Sequence, residues 1–151
     1  MSPMLTRREV VLALGAAAIL AACGERRIEP VALAMGSEEC TWCRMRIDDA
    51  RFPAQLVTAP GRARFFDEPG CLLSWLADHP EATGTAFVTA VETTGWLPAE
   101  RAHFAIGRMR TPMRFDITAH ESAPSASEAS GGRPVTWREL VAKGAPDARH
   151  D

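Results

Sequence analysis

Short apolar runs separated by turn-forming residues dominate the sequence, a pattern typical of a small domain rich in β-structure. Pro60-Gly61 predicts a tight turn, which would make the strands on either side of it antiparallel. The predicted strands are Arg44 to Ile47, Ala54 to Ala59, Ala63 to Phe66, Ala86 to Val91, His103 to Ile106 and a short one at Val135.

Helical periodicity is confined to short segments. Cys71 to Leu76 predicts a helix, and Asp67 or Glu68 is placed to cap it. Trp137 to Lys143 predicts a second, closing helix. The segment from Ser122 to Gly132 is rich in Ser, Ala and Gly, so it predicts either a weak helix or a mobile loop. Short strands mixed with short helices indicate the α+β class.

A faint internal repeat links the two halves of the chain. The sequence from Met45 to Asp48 resembles that from Met113 to Asp116, and each is followed by a strand and a short helix. The offset of about 70 residues suggests a duplicated β-rich unit with one helix. In that case Met45 and Met113 would occupy equivalent places in the two units.

The amino terminus predicts export and lipid attachment. A polar stretch containing Arg7 and Arg8 precedes an apolar run and small residues, which is typical of a signal peptide over residues 1–22. Leu20-Ala21-Ala22-Cys23 reads as a lipobox, with Cys23 as the lipidated residue. The paired arginines leave both the general and the twin-arginine export routes open. Gly24 after the cysteine favours a lipoprotein anchored in the outer membrane and facing the periplasm.

The remainder of the chain divides into a tether, two units and a tail. Residues 23–35 are predicted as lipid anchor and tether, 36–79 as the first unit, 80–144 as the second and 145–151 as a flexible tail. With 17 Lys and Arg against 19 Asp and Glu, the formal net charge is −2. The sequence has no basic patch interleaved with aromatic residues, so we expect no nucleic-acid partner.

Three cysteines are left once Cys23 is assigned to the lipid. An odd number in an oxidising compartment indicates that at least one thiol has a role other than a structural disulfide. Cys71 follows Pro69-Gly70 at a helix start, and we expect it to pack beneath the sheet. A Cys40–Cys43 disulfide with Cys71 buried and free is the alternative.

Soft sulfur ligands are concentrated between Cys40 and Met45. Two thiols and a thioether in six residues favour Cu(I) over harder metals. On a strand, Cys43 and Met45 would share a face, because side chains repeat every second residue. Met113 follows Thr111-Pro112, and the residues alone leave it open as a ligand or a packing residue.

Two other functions fit a Cys-x-x-Cys sequence. One is a thiol–disulfide protein that uses Cys40 and Cys43 to keep a copper enzyme's ligand cysteines reduced. The strand predicted after Cys43 weakens this reading, since thioredoxin-like chemistry places the second cysteine in a helix. The other is a structural zinc site in an assembly lipoprotein, which would need Cys71 and a histidine to complete four ligands.

Several motifs together resemble the NosL family of lipoprotein copper chaperones associated with nitrous oxide reductase. The resemblance covers nearly the whole chain after the signal peptide and implies two small duplicated ββαβ-type units, mostly of antiparallel strands with one short helix each. The motifs are the lipobox, Cys-x-x-Cys-x-Met-x-Ile at 40–47, the sequence at 66–71, Trp96-Leu97 with Ala102, Thr111-Pro112-Met113 and the sequence at 131–135.

This resemblance implies a ligand set and a role. Cys43, Met45 and Met113 would bind Cu(I), with Cys40 as an accessory ligand. His120 stands where the family leads us to expect an aromatic residue, so a histidine ligand beside or in place of one sulfur is also open. The implied protein is not an enzyme, and it delivers Cu(I) to apo nitrous oxide reductase or its assembly machinery.

Overall fold

The computed structural model describes residues 27–146, so the signal peptide, Cys23 and residues 147–151 lie outside the described range. The described part contains short strands and helices in mixed order. In chain order they are β1 (Ala54–Ala59), β2 (Arg62–Phe66), α1 (Pro69–Asp78), β3 (Thr85–Thr89), β4 (Trp96–Pro98), a 3₁₀ helix (Ala99–Arg101), β5 (His103–Ile106), β6 (Ile117–His120), α2 (Ala123–Ser130), β7 (Val135–Thr136) and α3 (Trp137–Lys143).

The strands form two antiparallel sheets with related topologies. The first has the order β2-β1-β3-β4 and the second the order β6-β5-β7. In each, a ββαβ unit places its first strand between its second and third. The bridge between Ala90 and Ala119 joins the two sheets. The predicted α+β class and the duplicated ββαβ-type units are therefore confirmed.

The offset that we predicted for the repeat is wrong. Met45 precedes β1, whereas Met113 lies in the loop between β5 and β6, so the two methionines are not topologically equivalent. The true correspondence of β1 with β5 requires an offset of about 50 residues. The matching letters fall in loops, where sequence similarity reflects turn chemistry and not position in the fold. β3, the third strand of the first unit, lies beyond residue 79, where we divided the two segments.

The strand predicted at Arg44 to Ile47 is also wrong. A single bridge between Glu39 and Arg46 closes a hairpin whose tip is a turn. Arg44 has a φ of 65° in the left-handed region, and its N–H donates to the carbonyl of Cys40 at 3.1 Å. This hydrogen bond closes the turn and interrupts strand geometry at the residue that follows Cys43.

The helices predicted at Cys71 to Leu76 and Trp137 to Lys143 are present as α1 and α3, and the segment left open between helix and loop contains a helix. The segment from Ser122 to Gly132 contains α2, because the Ser122 side chain accepts from the Ser125 N–H and Gly131 ends the helix with a left-handed φ of 71°. α3 begins with a capping box between Thr136 and Glu139.

The first sheet is covered on both faces. Ala54 and Leu56 of β1 belong to the hydrophobic core on the side of α1. Gln55 points to the opposite, outer face, since side chains alternate along a strand. It is fully buried there by the segment after Arg27, and exchanges hydrogen bonds with the backbone of Val31. Among residues 27–146, no helix has the length and apolar character needed to cross a membrane.

Candidate metal centre

Three cysteine sulfurs form a compact cluster between the hairpin and α1. The Sγ atoms of Cys40, Cys43 and Cys71 all lie within 4.8 Å of one another. All three cysteines are free thiols; Cys40 and Cys71 are fully buried and Cys43 is half-buried. We call these residues the thiol triad. Its spacing and sulfur chemistry could hold a soft metal ion.

The hairpin fixes the first two sulfurs through its backbone. The Cys40 N–H donates to the carbonyl of Met45 at 2.8 Å, and the Cys43 N–H donates to the Cys40 sulfur at 3.4 Å. The Thr41 N–H donates to the carbonyl of Phe65 at 2.8 Å, which ties the turn to the end of β2. The turn therefore places the sulfurs of Cys40 and Cys43 close together beside the end of β2.

The third sulfur comes from the first turn of α1. Pro69 opens this helix, and the Cys71 N–H donates to the carbonyl of Glu68 at 3.1 Å. The positive end of a helix dipole favours a thiolate or other negative charge nearby. Gly70, which precedes Cys71, allows a close approach of Phe115, because a Cβ at this position would collide with the Phe115 ring.

The three thiols have different proton affinities. A hydrogen bond donated by the Cys71 thiol lowers the pKa of Cys40 to about 5, with further help from backbone N–H groups that include that of Cys43. The same hydrogen bond, followed by burial, raises the pKa of Cys71. Burial raises the pKa of Cys43 to about 11. At neutral pH the triad therefore holds one thiolate and two thiols, and a metal that needs thiolate ligands must displace protons.

Two buried carboxyl groups border the triad at the start of α1. Burial, followed by the negative charge of Cys40, raises the pKa of Asp67 to about 7. Burial likewise raises the pKa of Glu68 to about 7. Within residues 27–146, Asp67 Oδ1 and Glu68 Oε2 have no hydrogen-bond partner. Both carboxyl groups therefore hold their protons more strongly than usual, and a cation bound at the sulfurs would favour their ionised forms.

The loop that carries Met113 is fastened to the same helix start. Glu68 Oε1 accepts the Met113 N–H at 2.6 Å. The rings of Trp42 and Phe115 pack with their centroids 5.6 Å apart, so the loop also touches the tip of the hairpin. Met113 is partly buried against the core cluster that contains Cys40 and Cys71. The loop therefore places Met113 next to the element that carries Cys71.

The other predicted ligands lie in different settings. Met45 is 49 % exposed, because the turn at Arg44 sends it outward and not onto a shared strand face with Cys43. His120 is buried in β6, where its Nε2 pairs with the Thr118 hydroxyl at 2.9 Å and its Nδ1 with Glu92 at 2.6 Å. Both ring nitrogens are therefore already engaged in a hydrogen-bonded group of their own.

Sequence reasoning missed the place of Cys71. It is buried as expected, yet its sulfur joins the other two instead of merely packing beneath the sheet. The odd number of cysteines and the placement of Cys71 in a first helical turn were the signals that could have identified it. Cys40, predicted as an accessory ligand, is fully buried, and its backbone makes hydrogen bonds with Met45 and Arg44.

A solved structure with the same fold has a related description. The crystal structure of the copper chaperone NosL from Shewanella denitrificans aligns with a TM-score of 0.61 over 73 % of this chain and 94 % of that one. The two chains share a fold. At 20 % sequence identity the comparison establishes architecture, and it confirms the fold that the sequence motifs implied. No protein-family model matches the sequence, and no curated protein matches it.

Proposed function

We propose that the protein binds one Cu(I) ion at the thiol triad and passes it to a copper enzyme during assembly. The observation that carries this proposal is the convergence of Cys40, Cys43 and Cys71 within 4.8 Å. Soft thiolate and thioether ligands suit Cu(I), although thiolates also suit Zn²⁺ and iron–sulfur clusters. The shared fold with a structure described as a copper chaperone supports the same assignment.

Graded exposure of the sulfurs suits transfer. Cys40 and Cys71 are fully buried, Cys43 is half-buried and the nearby Met45 is 49 % exposed. An acceptor ligand can therefore approach the ion from the Cys43 side while the buried pair still holds it. Met113, on the loop fastened to Glu68, is the further sulfur that we propose as a ligand. Nothing in this arrangement requires catalysis, so we propose a carrier and not an enzyme.

The proposed setting is the periplasmic side of a membrane. The lipobox at Cys23 supports a lipid anchor, with Gly24 favouring the outer membrane. The proposed acceptor is apo nitrous oxide reductase or its assembly machinery, on the strength of the NosL-like sequence motifs and fold. Delivery can be tested by mixing the Cu(I)-loaded protein with the apo enzyme without oxygen and measuring copper transfer.

Copper binding itself is tested by anaerobic competition for Cu(I) with a chromophoric chelator. We expect one Cu(I) per protein, and a loss of retention in Cys43→Ser and in Cys71→Ser. Full retention in both variants would contradict the thiol triad as the site. A parallel titration with Zn²⁺ addresses the structural zinc alternative, for which a fourth ligand completes the usual tetrahedral site.

One observation favours a thiol–disulfide function as a second candidate. The pKa of Cys40 is lowered to about 5, as in reactive redox cysteines. However, Cys40 is fully buried, so a partner disulfide cannot reach it without opening the hairpin. Rapid exchange with a small dithiol, together with no Cu(I) retention, would favour this second function over the first.

A further inference from the structure

The segment that leads from the lipidation residue into the domain is fixed to the first sheet. The Val31 N–H donates to Gln55 Oε1 at 2.8 Å, and Gln55 Nε2 donates to the Val31 carbonyl at 3.0 Å. Gln55 is fully buried, so this two-way hydrogen bond is shielded from water. The tether is therefore docked on the outer face of the sheet at Val31, where its backbone is held by Gln55.

A groove opens beside the docked tether on the same outer face. Gln55 lies opposite Phe87 of β3, and Phe87 lies opposite Pro98 of β4, so all three share one face of the sheet. The groove has a volume of about 530 Å³, and its wall is completed by Arg27 of the tether and by Trp96. The groove thus combines an apolar floor with the aromatic side chain of Trp96 in its wall.

Positive charge lines the rim of this groove. Arg27 and Arg101 both line it and both are exposed. Neither makes an ion pair with any residue from 27 to 146. Glu29 adds one carboxylate to the same groove. Two free guanidinium groups with one carboxylate suit a phospholipid headgroup region, because arginine binds phosphate through paired hydrogen bonds and a carboxylate can meet an amine.

The length of chain between this groove and the lipidation residue is very short. Only residues 24–26 separate Cys23 from Arg27. Fully extended, that stretch spans at most about 14 Å. A lipid on Cys23 would therefore hold Arg27 at or near the headgroups of the bilayer.

We propose that the outer face of the first sheet docks on an anionic phospholipid surface, with Arg27, Arg101 and Trp96 at the headgroups. This inference rests on the lipid anchor in the proposed function. The thiol triad lies on the opposite side of the same sheet, with α1. Docking therefore turns the sulfurs away from the membrane, toward a soluble acceptor.

The test uses the mature lipoprotein reconstituted in vesicles of phosphatidylethanolamine and phosphatidylglycerol. Tryptophan fluorescence is measured with lipids that carry a quencher near the headgroup. In the native protein we expect quenching, because docking brings the indole of Trp96 into contact with the headgroups. This quenching should disappear in Trp96→Phe. Arg101→Ala should weaken docking about fivefold, the usual contribution of one arginine at an anionic surface. Arg108→Ala removes an exposed arginine outside the groove and should leave quenching unchanged.

The possible outcomes separate this inference from the proposed function. Equal quenching in the native protein and Trp96→Phe, or equal effects of Arg101→Ala and Arg108→Ala, would overturn the docking face. Intact mass and Cu(I) content are measured on the same samples. A lipidated, copper-binding protein without Trp96 quenching contradicts the docking alone. A Cys23 without lipid contradicts both the anchoring and the docking, whereas loss of copper binding with normal quenching contradicts only the chaperone role.

Discussion

The sulfur of Cys71 lies within 4.8 Å of the sulfur of Cys40, and through this pair the hairpin and α1 meet. The two residues are distant in sequence but both are fully buried. This pairing stabilises one thiolate inside an apolar core, where an isolated charge would be costly. A buried thiolate beside two thiols is a site prepared for a soft cation before any metal arrives.

Removing the Cys71 thiol should raise the pKa of Cys40. In Cys71→Ala the pKa of Cys40 should rise from about 5 toward its usual value of 9.0, because its largest stabilising hydrogen bond is lost. Thiolate absorbance in the ultraviolet, followed against pH in the metal-free reduced protein, measures this shift. Cys43→Ala is the comparison: it removes the Cys43 side chain but keeps the backbone N–H that donates to Cys40, so we expect a smaller rise. An unchanged Cys40 titration in Cys71→Ala would show that the two sulfurs do not interact.

Cu(I) affinity should distinguish a triad of thiols from a mixed thiol and thioether site. Cys71→Ser should lower the affinity by at least about tenfold, because outer-shell changes alone commonly cost 10–100-fold. Met113→Ile should also lower it, because the Met113 loop is fastened to Glu68 at the start of the helix that carries Cys71. Met45→Ile is the comparison at an exposed sulfur. Anaerobic competition with a chelator measures all three. Unchanged affinity in Met45→Ile and Met113→Ile together would remove thioethers from the ligand set.

The elements of the fold could largely be predicted from the sequence because local chemistry decides them. Pro60-Gly61 sets the turn between β1 and β2, and the Ser122 cap with Gly131 sets the limits of α2. The hairpin at Arg44 could not be predicted, because its left-handed turn depends on a hydrogen bond to Cys40 that the strand pattern does not reveal. Local pattern thus predicts elements better than it predicts irregular turns.

The site was harder to predict because long-range packing assembles it. Two of its sulfurs are neighbours in sequence, and these were identified. The third, on Cys71, arrives only when α1 packs beside the hairpin, and the contact of Glu68 with Met113 joins residues far apart in the chain. A false internal alignment also placed Met45 and Met113 in equivalent positions. Spacing along the chain therefore indicated soft-sulfur chemistry but not which sulfurs the fold brings together.

The close approach of Phe115 to Gly70 should make that glycine sensitive to substitution. Gly70→Ala places a methyl group in the Phe115 ring, and overpacking of this kind usually costs about 1–3 kcal/mol. Because Phe115 follows Met113 on the same loop, the shift should also weaken Cu(I) binding. Gly132→Ala is the control: a Cβ there meets no atom within 4 Å. Urea unfolding and Cu(I) competition check both effects. Equal stability of the two variants would mean that the loop moves aside freely.

Glu68 should make the metal-free protein less stable as the pH rises toward neutrality. Its pKa is about 7 in the folded protein against an ordinary value of 4.5, because burial disfavours the carboxylate. A raised folded-state pKa contributes stability that is complete below the unfolded-state value and is lost as the pH rises through the folded-state value. The relevant window is therefore about pH 4.5 to 7.

Glu68→Gln isolates this contribution, since the amide keeps an oxygen that can accept the Met113 N–H but cannot ionise. The free energy of unfolding of the native protein, relative to that of Glu68→Gln, should fall by about 1.4 kcal/mol per pH unit inside the window and stay level outside it. Over the whole window the loss should reach about 3 kcal/mol. Urea titrations of both metal-free, reduced proteins at several pH values measure the difference. Parallel stability curves would mean that Glu68 ionises normally and that water reaches the start of α1.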